Sequence, residues 1–384
     1  MDAFYAEPAD IMNIYVIGTR GVPGLQGGVE KHCEQLYPLL VEKGCAVTVF
    51  ARTPYFCKEK RLTQWRGIEL RYLWTIRQKH LEAIIHSFLA VFVSIIRKPD
   101  IVCIHNIGPA IWSPLLKLFG IKTVLTYHSA NYEHQKWGAV AKKVLRFAEW
   151  VSVRCTDGII CVSQDTQRRI SDKYPDKKID AIPNGVAVCE MIQPPESILE
   201  RYGLNRKQFV LVVGRFTPEK GIYDILCAFE GLKENSYKLV IVGESDYDCK
   251  YSRKIKDKAR NISHVILTGM LSHEDLIPLY ATAALFVIPS YNEGFPLVLL
   301  EALVNGCPVL ASEVLKDKGI PLRDYRYFHT GDIAHLTEKM AELLRQDIDS
   351  SESVRYKDFV RSHFDWNDIA EKTVRFYHEV ASGQ

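Results

Sequence analysis

Three stretches of this 384-residue sequence gather residue types that can do chemistry, and each follows an apolar run. The first is Gly18-Thr-Arg-Gly-Val-Pro-Gly-Leu-Gln-Gly-Gly28, directly before a helical pattern at Val29–Leu40. Glycines let the backbone approach an anion closely, and a helix N-terminus offers free N–H groups to phosphate oxygens. Gly27 and Gly28 are therefore candidates for a phosphate or sugar cradle, a plain flexible turn being the alternative. The second stretch is Gly214-Arg215-Phe216-Thr217-Pro218-Glu219-Lys220-Gly221. Arg215 offers a planar fork and Lys220 a point charge, on a loop leading into a helix from Ile222; together they suit a diphosphate. The third is Ser290-Tyr291-Asn292-Glu293-Gly294-Phe295-Pro296, with a helix expected through Leu297–Asn305 and Pro296 in its first turn. Glu293 falls just before that helix and Glu301 about two turns further, so two carboxylates can address separated hydroxyls of one ligand. Free N–H groups near Gly294 and Phe295 favour negative charge there. Such a pair can serve acid–base catalysis, and it equally suits a polyol that only needs acceptors.

Two histidines join these loops. His128 follows the apolar run Thr123–Tyr127, and His105 follows Asp100–Ile104. A lone histidine is often structural, but the end of a strand facing a ligand cleft favours a functional role for His128, with His105 the weaker candidate.

The elements that must position these residues alternate strand, loop and helix. Strands are expected at Asn13–Gly18, Ala46–Ala51, Asp100–Ile104, Thr123–Tyr127 and Gly158–Val162. After the turn Ile182-Pro183-Asn184-Gly185-Val186 they resume at Phe209–Val213, Lys238–Val242, His264–Leu267, Leu285–Ile288 and Pro308–Ala311. This alternation predicts an α/β fold of two doubly wound parallel sheets covered by helices. Open parallel sheets bind ligands beyond the carboxyl ends of their strands, so two such domains would bind across a cleft between them.

Composition narrows the classes. With 47% hydrophobic and 25% charged residues, disorder, collagen and a small disulfide scaffold are excluded. The ten cysteines form no C-x-x-C pair and read as reduced thiols. Residues 1–11 read as an extension or remnant. The longest apolar stretch, Leu81–Ile96, is interrupted by Glu82, His86 and Ser87, which predicts a buried or interfacial helix rather than a membrane span. Residues 1–180 carry a net +8 and the remainder −5. The basic half includes Arg66, Arg71, Arg77, Lys79, Arg97, Lys98, Lys142, Lys143, Arg146 and Arg154. It is either a solvated face or a surface for an anionic partner such as a membrane or a phosphate-bearing substrate. No helix-turn-helix or basic-aromatic segment accompanies it, which argues against nucleic acid.

The Gly27-Gly28 pair before a helix, GRFTPEKG at 214–221, NEGFP…E at 292–301, IPNGV at 182–186 and the closing FDWNDIAEKTVRFYHEV resemble glycosyltransferase family 4, the retaining sugar-nucleotide transferases of GT-B fold. The segment GTRGVPGLQGGVEKH looks most like bacterial polysaccharide and O-antigen transferases, including rhamnosyltransferases. The resemblance implies an N-terminal Rossmann-like acceptor domain (12–187), a C-terminal donor domain (188–365) and a final helix (366–384) returning to the first. It implies that Arg215 and Lys220 hold the donor diphosphate and that Glu301 binds the ribose. Glu293 would bind the transferred sugar beside Gly294, Phe295 and Pro296, while Gly27 and Gly28 close the diphosphate side. Met270, after Gly269, would lie near the nucleobase, and His128 would be the active-site histidine. The expected reaction moves a hexosyl or deoxyhexosyl unit from a UDP-, dTDP- or GDP-linked donor to a saccharide acceptor, lipid-linked in bacterial cell-surface polysaccharide synthesis. The protein would be cytoplasmic and peripheral on an anionic membrane.

No residue stands out as a covalent nucleophile, so retention is expected by same-face substitution, the leaving phosphate taking the acceptor's proton. No cofactor or metal is expected. Asp246-Tyr247-Asp248 does read D-x-D, a spacing used by metal-dependent transferases of another fold, but Asp347-Ile348-Asp349 repeats it cheaply. Two other classes compete: a non-catalytic sugar-nucleotide-binding protein, and an NADP oxidoreductase using Arg52 on the 2′-phosphate. The latter lacks G-x-G-x-x-G spacing.

Overall fold

The computed structural model describes residues 11–78, 81–129, 139–187, 195–232, 236–245, 249–346 and 350–383. The first ten residues, Lys79, Cys189 and both D-x-D triplets lie outside the described residues.

The chain forms two compact α/β units. One contains residues up to 129, Ala139–Asn184 and Trp366–Gln384; the other is built from Gly185–Asp365. The chain thus changes unit between Asn184 and Gly185, inside the IPNGV turn.

The first unit holds an eight-stranded sheet: β1 (Asn13–Ile17), β2 (Ala46–Arg52), β3 (Gln64–Trp65), β4 (Ile68–Leu73), β5 (Ile101–His105), β6 (Thr123–Tyr127), β7 (Gly158–Cys161) and β8 (Lys178–Ala181). Their spatial order is β3-β4-β2-β1-β5-β6-β7-β8, parallel except for the short β3–β4 pair. All residues of β5, β6 and β7 are buried. Strands covered on both faces read as continuous apolar runs, which is why they were legible without structure. Strands β3 and β4 were not expected. In Ile68–Leu73 only alternate positions are apolar and buried at the start, with Glu69 exposed, as suits a strand near a sheet edge.

The chain leaves β1 for β2 and β4, then returns to β5 on β1's other side, so β1/β5 is a topological switch point. The loops after these strands diverge there and leave a crevice for ligand. The final helix, Trp366–Ser382, packs on the helix Gly28–Glu42 in this unit, burying Trp366, Ile369, Ala370, Thr373, Phe376, Tyr377 and Val380 at helical spacing.

The second unit holds β9 (Phe209–Val213), β10 (Lys238–Val242), β11 (Val265–Gly269), β12 (Leu285–Ile288), β13 (Val309–Ser312) and β14 (Tyr327–Phe328). The order is β11-β10-β9-β12-β13-β14, all parallel, with its switch point at β9/β12. Val210, Val212, Phe216, Leu226, Phe229, Ile241, Val287 and Leu310 form its core.

The stretch Leu81–Ile96 becomes the helix Glu82–Arg97, which buries His86, Ser87, Ala90, Val91 and Ser94 and leaves Ile84, Phe88, Phe92 and Ile96 exposed. No described helix is long and apolar enough to cross a membrane.

Candidate functional site

In the second unit, the two switch-point loops carry the expected cations and carboxylates. Arg215 and Lys220 lie after β9, with Lys220 in the 3₁₀ turn Pro218–Lys220 before the helix Ile222–Glu230. Glu293 lies after β12. The loops are stitched together by the backbone: Tyr291 N donates to Glu219 O at 2.8 Å. Gly221 has φ 62°, and a Cβ there would stand 2.0 Å from Pro289 O, so only glycine permits this approach. Lys220 Nζ consequently reaches Glu293 Oε1 at 2.5 Å, and Ser290 Oγ donates to the same oxygen at 2.7 Å. Ser290 is anchored in turn, its carbonyl accepting from Ser312 Oγ at 2.6 Å. Among the described residues Glu293 Oε2 takes no hydrogen bond, so this face of the carboxylate can receive a ligand hydroxyl.

The helix after this loop is Leu297–Val304, with Pro296 as its N-cap residue rather than in its first turn. Pro296 has ψ 102°, so it ends the loop in extended backbone and turns the chain into the helix. Phe295 is buried, its ring centroid 5.3 Å from that of Phe364, and this fixes Gly294 in the bend. Glu301 is held separately: Tyr280 OH donates to its Oε2 at 3.1 Å, and His273 Nδ1 lies 3.9 Å from Oε1. Burial, with Glu301 adjacent, holds the Tyr280 hydroxyl well above its ordinary pKa, so it remains a donor. Exposed Met270 follows β11, and Gly269 beside it lines a cavity of about 380 Å³ with Phe216, Gly243, Glu244 and Leu267.

In the first unit, Gly27 caps the helix Gly28–Glu42 with φ 147°. A Cβ there would stand 2.0 Å from Glu30 Oε2 and 2.6 Å from Arg20 Nη2. The glycine therefore makes room for an internal ion pair, Arg20–Glu30 at 3.1 Å, whose guanidinium also donates to Gln26 O. Burial acts to raise the Glu30 pKa, but the Arg20 charge and hydrogen bonds outweigh it and hold the carboxyl below its ordinary value. At Gly28 a Cβ would meet no atom within 4 Å, so space remains beside the helix start.

Arg52, the NADP candidate, is only 8% exposed and bonds Glu82 at 2.8 Å, with Tyr55 OH donating to the same carboxylate. A guanidinium committed to a buried carboxylate does not serve a 2′-phosphate, and this reading is corrected.

His128 does not stand alone. His105 Nδ1 lies 2.8 Å from His128 Nε2, and Tyr37 OH lies 2.7 Å from His105 Nε2. His32 packs edge-on against both rings, and its Nδ1 is 2.7 Å from Asn184 Oδ1. The IPNGV turn thus helps to orient a histidine 152 positions earlier. His105 has more to do than its sequence context suggested, and His32, Tyr37 and Asn184 were missed as site residues. Their only sequence signal was position: His32 one turn into a helix after a strand-end loop, Asn184 in a family-like turn.

These three histidines are the group with metal-ligand spacing among the described residues. Two tetrahedral ligands on one zinc ion would stand about 3.3 Å apart. The 2.8 Å separation of the His105 and His128 nitrogens instead fits a pair sharing one proton.

Burial holds all these imidazoles neutral: His32 is pushed down to about 4 and the buried His86 to about 3, while His105 and His128 fall well below the usual value. The unfolded chain takes up protons near pH 6.5 that the native state refuses. The stability this confers is present above pH 6.5 and is lost as pH falls towards 4. The expected loss is about 1.4 kcal/mol per pH unit for each histidine kept neutral. Urea unfolding at pH 7.5, 6.5, 5.5 and 4.5 measures it; a flat profile over this window would contradict the buried placement.

Comparison with known proteins adds three findings. Residues 26–188 match the profile described as Glycosyltransferase Family 4, and residues 196–358 match Glycosyl transferases group 1. The phosphatidyl-myo-inositol mannosyltransferase of Mycobacterium leprae is 26% identical over 93% of this chain and 94% of its own length. The Escherichia coli UDP-Gal:alpha-D-GlcNAc-diphosphoundecaprenol alpha-1,3-galactosyltransferase is 32% identical over 56% of this chain and 58% of its own. Sucrose-phosphate synthase from Thermosynechococcus elongatus superposes with TM-score 0.82 at 21% identity, over 97% of this chain and 100% of that one. Anabaena HepE in complex with UDP gives 0.74 at 16%, over 95% and 99%. The shared fold is GT-B.

Proposed function

Since this chain belongs to glycosyltransferase family 4 and is a glycosyltransferase of nucleotide-sugar donors, we propose that it transfers a hexosyl or deoxyhexosyl unit, with retention, to a lipid-linked saccharide in bacterial cell-surface polysaccharide synthesis. The observation that carries the reading is the Lys220–Glu293–Ser290 cluster at the switch point of the second unit, on the same loops as Arg215. A cation and a carboxylate held together there can meet the two halves of one donor. Arg215 and Lys220 stabilise negative charge developing on the departing diphosphate, usually the largest catalytic contribution, and take the place of a metal ion. Glu293 accepts from a hydroxyl of the moving sugar and Glu301 from the ribose, with the base beside Met270. Both bonds from the protein converge on Glu293 Oε1, which suits a hydroxyl acceptor better than a covalent nucleophile. The leaving phosphate then takes the acceptor's proton on the face where the new bond forms.

The test is release of nucleoside diphosphate from a panel of UDP-, dTDP- and GDP-sugars, with and without a polyprenyl-diphosphate saccharide and with EDTA present. Acceptor-dependent release unaffected by EDTA is expected. Release from no donor, or only with added divalent metal, would overturn the corresponding part of the reading.

The lipid-linked acceptor is supported by the names of the two relatives above and by a surface of the first unit. Ile84, Phe88, Phe92 and Ile96 form an exposed row on the helix Glu82–Arg97, and Val144, Phe147 and Trp150 are exposed on the helix Ala139–Cys155. Both helices pack on the segment Pro109–Leu118, so the two rows flank one support. Exposed Arg97, Lys98, Lys117, Lys143 and Arg146 accompany them. Apolar rows with basic flanks suit reversible docking to an anionic leaflet, where each basic residue near the surface gains about 1 kcal/mol. The protein is expected to sediment with anionic liposomes at low salt, to be released at high salt and to ignore neutral ones. Charge reversal at Lys142, Lys143 and Arg146 should weaken this while sparing nucleotide affinity; indifference to lipid charge rejects the docking.

A further inference from the structure

The buried chain of Tyr37, His105 and His128 carries a definite proton order. A neutral imidazole has one N–H, so each hydrogen bond in the chain dictates the next. Burial raises the Tyr37 phenol well above its ordinary pKa, so it keeps its proton. An imidazole nitrogen is a stronger acceptor than a phenol oxygen, so across the 2.7 Å contact Tyr37 donates and His105 Nε2 accepts. The single proton of His105 is then on Nδ1, which donates across 2.8 Å to His128 Nε2. The proton of His128 is consequently on Nδ1. His128 is the half-buried member of the chain, whereas His32 and His105 are fully enclosed, and its Nδ1 makes no hydrogen bond to a described residue. His32 does not disturb the order: its Nδ1 donates to Asn184 Oδ1, and its ring packs edge-on against His128 at 5.1 Å, limiting rotation. Cys103 Sγ, at 3.2 Å, is the other acceptor within reach of the Tyr37 hydroxyl, but a thiol sulfur is a weak acceptor and the single phenol proton goes to the nearer imidazole nitrogen.

We propose that Tyr37 and His105 are positioning residues that lock His128 as the Nδ1–H tautomer, so that His128 presents a hydrogen-bond donor, not a base, to an oxygen of the substrate. The proposal rests on the reading above of His128 as the active-site histidine. It assigns His128 to holding a hydroxyl or glycosidic oxygen and leaves the acceptor's proton to the leaving phosphate. Fixing the tautomer of a catalytic imidazole through the nitrogen remote from substrate is a general device.

The experiment uses full-length protein labelled with ¹⁵N-histidine, with long-range ¹H–¹⁵N spectra at pH 7.5 reading each tautomer directly. His128 is expected as a single Nδ1–H species; an Nε2–H species or a mixture in the wild type overturns the proposal. Tyr37→Phe keeps the ring and removes the donor. It is expected to convert His105 and His128 to tautomer mixtures and to lower kcat by about 10–100-fold, the range typical of lost orienting partners. KM for the sugar nucleotide should stay within about twofold, since donor binding in the ground state is not what the chain secures. His105→Asn, which retains an amide N–H towards His128, should recover at least about tenfold in kcat over His105→Leu. Unchanged tautomers in Tyr37→Phe overturn the relay. Should the tautomers shift while both Tyr37→Phe and His128→Ala keep wild-type kcat, the link to the reaction falls together with the reading of His128 as the active-site histidine.

Discussion

Lys220→Ala is expected to lower the rate of nucleoside diphosphate release by about 100–1000-fold, the cost typical of removing one preorganised stabiliser of transition-state charge. Nucleoside diphosphate affinity should fall by roughly 1.5–3 kcal/mol, the worth of a charge-assisted hydrogen bond. Lys220 is more than the surface-loop cation its sequence context suggests. Its side chain is 22% exposed and its ion-pair partner Glu293 only 10%. Removing the ammonium therefore also leaves a largely buried carboxylate with Ser290 as its remaining partner, which adds a stability cost. The double variant Lys220→Ala/Glu293→Gln separates the two effects: it should recover thermal stability but not nucleotide affinity. Arg215→Ala should weaken nucleotide binding by a similar amount. Wild-type affinity in both Lys220→Ala and Arg215→Ala, measured by calorimetry, would show that the anion site has been misassigned.

Gly221→Ala should be among the most damaging single methyl groups in the second unit. The added Cβ would meet a backbone carbonyl, Pro289 O, at 2.0 Å, and φ 62° is disfavoured for alanine in any surroundings. A carbonyl at the end of a buried strand cannot rotate away as a side chain can. The β9 and β12 loops must separate, and with them Lys220 from Glu293. A loss of about 3 kcal/mol or more is expected, in the range of severe backbone strain. For a unit of this size that lowers its melting temperature by roughly 6–12 °C, with nucleotide binding lost in parallel. Melting within about 2 °C of wild type, together with intact binding, would mean that the two loops do not touch as described.

Much of the fold and part of the site could be read from residue types alone, for a local reason. A strand buried on both faces is a short β-branched apolar run, and in a parallel sheet each such run must end where a loop turns into a helix. Glycines, Arg215, Lys220, Glu293 and His128 immediately after such runs are thereby assigned to the carboxyl ends of strands, where open sheets bind ligands. The helix start at Pro296 and the periodic face of the C-terminal helix are local in the same sense. Strands with mixed composition, such as Ile68–Leu73, or only two residues long, such as Tyr327–Phe328, carry too little of this signal.

Which of those residues meet was decided by the tertiary structure alone. Local periodicity says that strands exist but not their order, and order determines neighbours. Because β9 lies beside β12, Lys220 pairs with Glu293 across 73 positions; because β5 lies beside β6, His105 meets His128 across 23. The same packing gives residues partners that local sequence does not announce. Gly27 accommodates the Arg20–Glu30 pair, Arg52 is committed to Glu82, and Asn184 of a turn orients His32. Each is a hydrogen bond or ion pair between distant positions, formed because a buried polar group must find its partner within the fold and not in water.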